Sequence, residues 1–245
     1  MIDIHSHILP AIDDGAGSHD VAVEMCWRAA RDGCTTLVAT PHQRTSTWWN
    51  CEPSELNGRF EDLRSAVGDQ IDLRLGAEIR IDGRLLEAVA DLEASGVLPL
   101  AGSRYLLLEF DRRGMGGLDP KALTHELRLQ GWRPVFAHPE FIPELASDPA
   151  LMHRLIEHGG RFQLTAMSLT GGFGRRKRAL AEGMVRDGLV HFVASDAHDL
   201  SHRPPGLRQA HRQLTQTFGE SVANRLILEN PLAILEDRPV EASAC

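Results

Sequence analysis

At 245 residues, with 42% hydrophobic and 24% charged residues, the chain has the size of one large α/β barrel and enough apolar content to exclude disorder. Its formal net charge of −8 disfavours non-specific nucleic-acid binding, although it says little about a small phosphorylated substrate. No stretch approaches the roughly 18 apolar residues of a membrane span and no charged segment followed by an apolar run opens the chain, so a cytoplasmic location is the default expectation.

The opening Met1-Ile2-Asp3-Ile4-His5-Ser6-His7 alternates Ile2 and Ile4 with Asp3, His5 and His7. That period predicts a strand presenting three polar side chains on one face. Two imidazoles in register with a carboxylate suit a metal ion, which takes up lone pairs that burial would leave costly; exposed or mutually bonded histidines are the alternative at this point. Ser18 caps a helix predicted over 19–32 and ending at Gly33, and a β-branched strand over 35–40 stops at Pro41-His42. The following loop, 43–53, carries Trp48 and Trp49, suited to a flap over substrate or, more commonly, to packing over the loop's own base. Next come a helix over 54–67, a strand over 71–79 with Glu78 at its end, a helix over 84–94, a strand over 105–110 ending in Glu109, a helix over 119–130, and a strand over 134–137 leading to His138. A helix over 149–158, a strand over 162–166, a helix over 175–187 and a strand over 190–195 continue the alternation to Asp196 and His198. Helices over 205–218 and 220–229 then close the chain before Pro231. About seven strand–helix units predict a parallel β/α barrel forming one domain over 1–245, with an open doubly wound sheet as the alternative.

The chemistry-bearing residues share one topological position. His5, His7, His42, Glu78, Glu109, His138, Asp196 and His198 all fall at or near carboxyl ends of predicted strands, the face where barrel enzymes assemble their sites. His19, His125, His153, His158 and His211 fall in helices or at their edges and read as ordinary surface residues, and His191 stands at the wrong end of its strand. Mixed imidazole and carboxylate donors suit zinc, manganese or iron better than magnesium, and so many of them imply two or three ions bridged by a carboxylate. Such clusters favour hydrolysis of a phosphoester, and Arg203, stiffened by Pro204-Pro205, is the first candidate to hold phosphate oxygens. The cysteines Cys26, Cys34, Cys51 and Cys245 show no C-x-x-C spacing and read as reduced thiols. None has an arginine six residues downstream, so the phosphate loop of cysteine-dependent phosphatases is missing.

Six motifs in order, the opening strand with Ile12-Asp-Asp-Gly15, Ala39-Thr-Pro-His42, Gly76-Ala-Glu-Ile79, Leu107-Leu-Glu-Phe110, Ala137-His-Pro-Glu140 and Ser195-Asp-Ala-His198, resemble the polymerase-and-histidinol-phosphatase (PHP) superfamily. Within it the likeness, over about residues 1–230, is to the bacterial protein-tyrosine phosphatases of capsular and exopolysaccharide operons. The resemblance implies a distorted (β/α)7 TIM-like barrel and two or three metal ions, manganese first, iron or zinc otherwise. It implies that His5, His7, Glu78 and Asp196 hold one ion, that Glu78, Glu109 and His138 hold a second, and that Asp14, His42 and His198 hold a third. Asp3 and Asp13 become candidates for orienting the histidines, and Arg203 and Asp13 the candidate catalytic residues. The implied substrate is phosphotyrosine, especially in the Tyr-rich tail of a cognate autophosphorylating kinase, attacked by a metal-bridging hydroxide. Two departures stand out: the family commonly has an arginine three residues after the His-Pro histidine and a second histidine after Thr-Pro-His, where this chain has Phe141 and Gln43. One arm of a phosphate clamp is thereby missing, leaving Arg203 with Arg44 or Arg80 as substrate-binding candidates. A small-molecule phosphoesterase, acting on histidinol phosphate or a nucleotide, and a non-catalytic metal-binding partner of a kinase are the competing expectations.

Overall fold

In the computed structural model, which describes residues 1–241, nine short strands alternate with helices. The strands are β1 (Ile2–Ser6), β2 (Thr36–Ala39), β3 (His42–Gln43), β4 (Asp72–Leu75), β5 (Glu78–Arg80), β6 (Tyr105–Glu109), β7 (Arg133–Ala137), β8 (Arg161–Thr165) and β9 (Phe192–Ala194). They form two parallel sheets, ordered β1-β2-β4 and β3-β5-β6-β7-β8-β9. The strand predicted over 71–79 is divided between the sheets, and just beyond the one predicted over 35–40 stands a short further strand, β3, in the other sheet. Pro41, which has no N–H for the ladder, separates β2 from β3, and Gly76-Ala77 separates β4 from β5.

The far edge returns to the beginning. The His7 amide donates to the Ala197 carbonyl at 2.8 Å and the Asp196 amide to the His5 carbonyl at 2.9 Å, so the chain just after β9 lies beside β1. Seven strand positions thereby ring a common interior, the distorted barrel that the repeated strand–helix unit predicts. Ile2, Ile4, Val38, Leu107, Val135 and Phe192 meet in one buried cluster although they come from both sheets, and Ala233, Ile234 and Val240 pack into it from the C-terminal segment. On the other faces of the strands, Leu106, Leu108, Phe136, Phe162 and Leu164 join the larger core under the helices. Aromatic contacts run through that layer, Phe110 stacked on Phe136 at 5.5 Å and Phe136 tilted against Phe162 at 5.7 Å. Truncating one of these rings to alanine is expected to cost about 3–5 kcal/mol.

The opening strand is not sorted into a polar and an apolar face, as its period of two suggests. All five residues of β1 are buried, and its pairing with β2 shifts register between Asp3 and Ser6.

The helices are α1 (His19–Arg31), α2 (Pro53–Val67), α3 (Leu85–Ala90), α4 (Leu92–Ser95), α5 (Pro120–Leu129), α6 (Pro143–Ser147), α7 (Pro149–Glu157), α8 (Ala166–Thr170), α9 (Arg175–Arg186), α10 (Arg208–Phe218), α11 (Glu220–Asn224) and α12 (Asn230–Leu235). Ser18 caps α1 by accepting from the Val21 amide. The helix expected over 84–94 is two short ones, because Asp91 leaves helical geometry and its carboxylate accepts from the Ala94 amide as a new cap. Pro231 does not end the helical region; α11 runs through a π-helical stretch over 225–229 directly into α12, and the proline lies within that continuous helix at the end of the widened turn. Cys26, Cys34 and Cys51 are buried and free, and Cys245 lies outside the described residues. Among the described residues no helix is long and apolar enough to cross a membrane.

Candidate metal centre

Each candidate ligand is delivered by local chain geometry. His5 and His7 stand at and just beyond the end of β1. The loop through Asp13, Asp14 and Gly15 folds back on them, with the Ala16 amide donating to the His7 carbonyl at 3.0 Å. A Cβ on Gly15 would lie 2.1 Å from that carbonyl oxygen, so glycine is what permits the approach. Asp13 Oδ2 then sits 2.8 Å from His7 Nδ1 and accepts from the His42 amide at 2.9 Å. His138 and Asp196 follow β7 and β9 with left-handed backbone, φ 37° and 53°. Non-glycine residues there cost about 1–2 kcal/mol each, a strain that sharp turns at the strand ends impose on two of the candidate ligands.

The side chains converge. His5 Nε2 and His7 Nε2 lie 3.2 Å apart, with Glu78 Oε2 at 3.5 and 3.4 Å and Asp196 Oδ1 at 3.4 and 3.6 Å from them respectively. His42 Nδ1 is 3.0 Å from Glu78 Oε2 and 3.1 Å from Glu109 Oε1. On its other side His42 Nε2 is 3.4 Å from Asp14 Oδ1, the oxygen that His198 Nε2 approaches to 3.5 Å. His138 Nε2 meets the second oxygen of Glu78 at 2.7 Å. Three donor groups result: His5, His7 and Asp196; His42, Glu78 and Glu109; and His7, Asp14, His42 and His198. All nine expected ligands are thus brought together, but His42 and His7 each serve two groups, and His138 reaches the cluster through Glu78. In the expected sets Glu78 alone is shared, whereas the groups formed here share His7 and His42.

Buried polar atoms test whether ions fit here. Two imidazole nitrogens that face each other at 3.2 Å cannot both carry a proton between them. His42 Nδ1 and His138 Nδ1 are buried without a hydrogen bond, the former despite two nearby carboxylate oxygens. Lone pairs aimed at carboxylates are poor neighbours unless a cation lies among them, and a mixed nitrogen and oxygen donor set suits manganese, iron or zinc. The residues fit divalent ions.

The electrostatics agree. Burial alone would raise the Glu78 pKa, but His5, His42 and His138 together hold it well below the ordinary carboxylate range. Asp14 and Asp196 are likewise lowered against their burial, Asp14 by His198 and His42, Asp196 by His5, His7 and Arg203. His7, His42 and His138 are raised despite burial, by Asp13, Glu78 and, for His42, Asp14 and Glu109. The cluster therefore attracts positive charge, protons or ions. Supporting contacts fix the rings: His5 Nδ1 is 2.7 Å from Gln163 Oε1, and Asp13 holds His7. Asp13 lies behind the histidine, so it positions His7 and does not face the open cavity. Asp3, buried beneath the site with a pKa pushed up to about 6 by desolvation, accepts from the Ser195 amide.

A cavity of about 310 Å³ opens above the cluster, its wall including Asp14, His42, Trp48, Arg80, Arg112 and Arg203. Arg203 donates to Asp196 Oδ2. Arg80 bonds Glu109 at 3.1 Å and faces Asp111 at 3.4 Å. Arg44, expected to reach a phosphate, does not line this cavity: it is buried, its Nη2 bonds both Asp82 oxygens at 2.8 and 2.9 Å, and Trp49 covers it at 5.1 Å. The two tryptophans therefore divide their work, since Trp48 stacks on His42 at 5.4 Å while Trp49, 56% exposed, covers Arg44. Gln43 is a tie between loops, donating to the Asn50 and Gly96 carbonyls and accepting from the Leu98 amide. Asp111 and Arg112 are the cavity residues that sequence reasoning missed; their only signal was an acid and an arginine pair directly after Glu109-Phe110. Of the discounted histidines, His19, His125, His153 and His158 are exposed, His211 bonds Asn224, and His191 is buried away from the cluster.

Strands ringed by helices, with histidines and carboxylates gathered at the strand carboxyl ends, define a β/α barrel of the kind that holds a metal cluster. Residues 1–236 match the family described as "Capsular polysaccharide synthesis, CpsB/CapC", and the chain belongs to that family. It is 36% identical over 243 residues to the tyrosine-protein phosphatase YwqE of Bacillus subtilis, covering 98% of this chain and 93% of that one. To the tyrosine-protein phosphatase CpsB of Streptococcus pneumoniae it is 31% identical over 245 residues, covering 97% and 99%. A solved structure from work on YwqE and CpsB, described there as unique metal-dependent tyrosine phosphatases, matches with a TM-score of 0.90 at 34% identity over 100% of both chains.

Proposed function

We propose that the chain is a metal-dependent protein-tyrosine phosphatase that acts in the cytoplasm on phosphotyrosine in the tail of a cognate bacterial tyrosine kinase, and so regulates capsule or exopolysaccharide synthesis. The observation that carries this reading is the nine-residue His and carboxylate cluster beneath an arginine-edged cavity, in a chain similar along nearly its whole length to tyrosine-protein phosphatases. Two or three ions, manganese first and iron or zinc otherwise, would be held by His5, His7, Asp14, His42, Glu78, Glu109, His138, Asp196 and His198. Bound there, they would make water nucleophilic near neutral pH and balance charge on the phosphoryl oxygens.

The rest is work for the chain's own residues. Water attacks phosphorus in line, a new P–O bond forms as the bond to the tyrosine oxygen breaks, and the phenolate leaves. A phenol with a pKa near 10 is a good enough leaving group for solvent to supply its proton. Arg203 and Arg80 orient the phosphoryl oxygens through the N–H groups that Asp196 and Glu109 leave free. Trp48, stacked on His42 at the cavity wall, offers an aromatic face to the tyrosyl ring. Turnover of a phosphotyrosine peptide, compared with a panel of small phosphomonoesters on enzyme of measured metal content, tests the proposal. Preference for the peptide supports it, and clear preference for histidinol phosphate or a nucleotide overturns the substrate while leaving the chemistry.

A further inference from the structure

The cavity wall carries five carboxylates, Asp14, Glu78, Glu109, Asp111 and Asp196, against three arginines. Two of those arginines are already engaged, Arg80 with Glu109 and Asp111, and Arg203 with Asp196. Arg112 alone has no carboxylate partner among the described residues. It is exposed at the mouth, on the loop that follows β6, and its guanidinium lies 5.3 Å over the ring of Phe141. Phe141 is itself held, edge-on to Phe173 at 5.1 Å and under the Lys177 ammonium at 4.5 Å, while Lys177 is committed to the Glu140 carbonyl. An unpaired planar cation at the rim of an acidic cavity, held by an aromatic face that leaves its N–H edge free, is arranged for a ligand with several anionic oxygens.

We propose that Arg112 grips non-bridging phosphoryl oxygens of the substrate at the cavity mouth, and that Phe141 is the positioning residue that holds it there. The inference rests on the reading of this cavity as a phosphomonoester site. It makes Phe141 part of substrate recognition through its neighbour, without any charge of its own.

The test is steady-state kinetics of the metal-loaded enzyme on p-nitrophenyl phosphate and on a phosphotyrosine peptide, with inorganic phosphate as a competitive inhibitor. Arg112→Ala should raise KM for both substrates and the inhibition constant of phosphate about tenfold, with kcat, metal content and thermal melting close to the parent. Arg112→Lys should fall between, since it keeps the charge and loses the fork. Phe141→Leu should raise the phosphate inhibition constant several-fold, and Phe141→Tyr, which keeps the aromatic face, should stay near the parent. A phosphate inhibition constant within twofold of the parent in Arg112→Ala overturns the proposal. So does an effect confined to the peptide, which would assign Arg112 to the polypeptide around the phosphotyrosine. A parent enzyme that ignores the peptide defeats the substrate reading alone, because phosphate inhibition still decides the role of Arg112.

Discussion

Buried histidines occupy both ends of the strands, and they differ in the charges around them. At the carboxyl ends, five imidazoles face Asp14, Glu78, Glu109 and Asp196, and His7, His42 and His138 are pushed toward the charged form. At the amino end of β9, His191 is equally buried, but its charged neighbours are Arg161 and Arg225; desolvation and these two cations push its pKa down to about 3. Its Nδ1 accepts from the Phe162 amide at 3.3 Å and its Nε2 has no partner. Burial alone therefore does not mark a ligand. The presence of facing carboxylates does: Asp14 and Asp196 face even His198, whose pKa desolvation, His7 and Arg203 push down, whereas His191 faces arginines alone and is left neutral and structural.

The largest effect that would break the contrast is removal of the carboxylate at its centre. Glu78 touches His5, His7, His42 and His138, so Glu78→Gln should lower turnover by about a thousandfold or more, with loss of bound metal by elemental analysis. His5→Asn should behave alike, and full activity in both variants would remove the metal centre from the mechanism. A smaller effect is expected one contact further out. Asp13→Asn keeps shape but weakens the acceptor at His7 Nδ1, and should weaken metal retention or activity about 10–100-fold, read by chelator competition.

Proton competition sharpens the same contrast. Against burial, Glu78 and the neighbouring carboxylates push the pKa values of His42 and His138 upward, so protons compete with an ion for these rings. Raising the pH should then tighten metal binding by about tenfold per unit for each proton displaced, and lowering it should weaken binding. Calorimetric titration in buffers of different ionisation enthalpy would read the released protons. Binding that releases none between pH 6 and 8 would show that the apo cluster does not hold them.

Why so much of this was legible in the sequence, and some of it not, follows from which contacts are local. The ligand set could be read because a β/α barrel converts strand ends into a single site, so His42, Glu78, Glu109 and His138 needed no long-range information beyond the fold. Asp14 came only with the family resemblance, since it lies on a loop whose return depends on the close packing of Gly15 against His7. The bounds expected at 84–94 and before Pro231 fail on residues with two local meanings: Asp91 starts a second helix within an apparently continuous one, and Pro231 is carried inside a helix by the π-helical turn before it. Arg44 as a candidate and Arg112 as an omission have a long-range cause instead. Asp82 withdraws Arg44 and Phe141 presents Arg112, and both partners come from other strand–helix units.

The smallest expected effect belongs to His191, and it tests the other side of the contrast. In the unfolded chain this group takes up a proton below about 6.5, whereas in the fold it stays neutral until about 3. The unfolded state thus binds more protons between those values, and stability present above pH 6.5 is lost as the pH falls. At pH 5 the loss from this one group is about 2 kcal/mol, or roughly 5 °C in melting temperature for a chain of this size. Asp3 acts in the opposite direction, because its folded pKa of about 6 exceeds the ordinary 3.8 and protonation there favours the fold. Only a difference between variants isolates His191. In His191→Asn, which can still accept from the Phe162 amide, the drop in melting temperature between pH 7.5 and 5 should shrink by that amount, with turnover at pH 7.5 close to the parent. An unchanged drop would mean that His191 is already able to charge inside the fold, and the distinction between the two ends of the strands would fail at its simpler end.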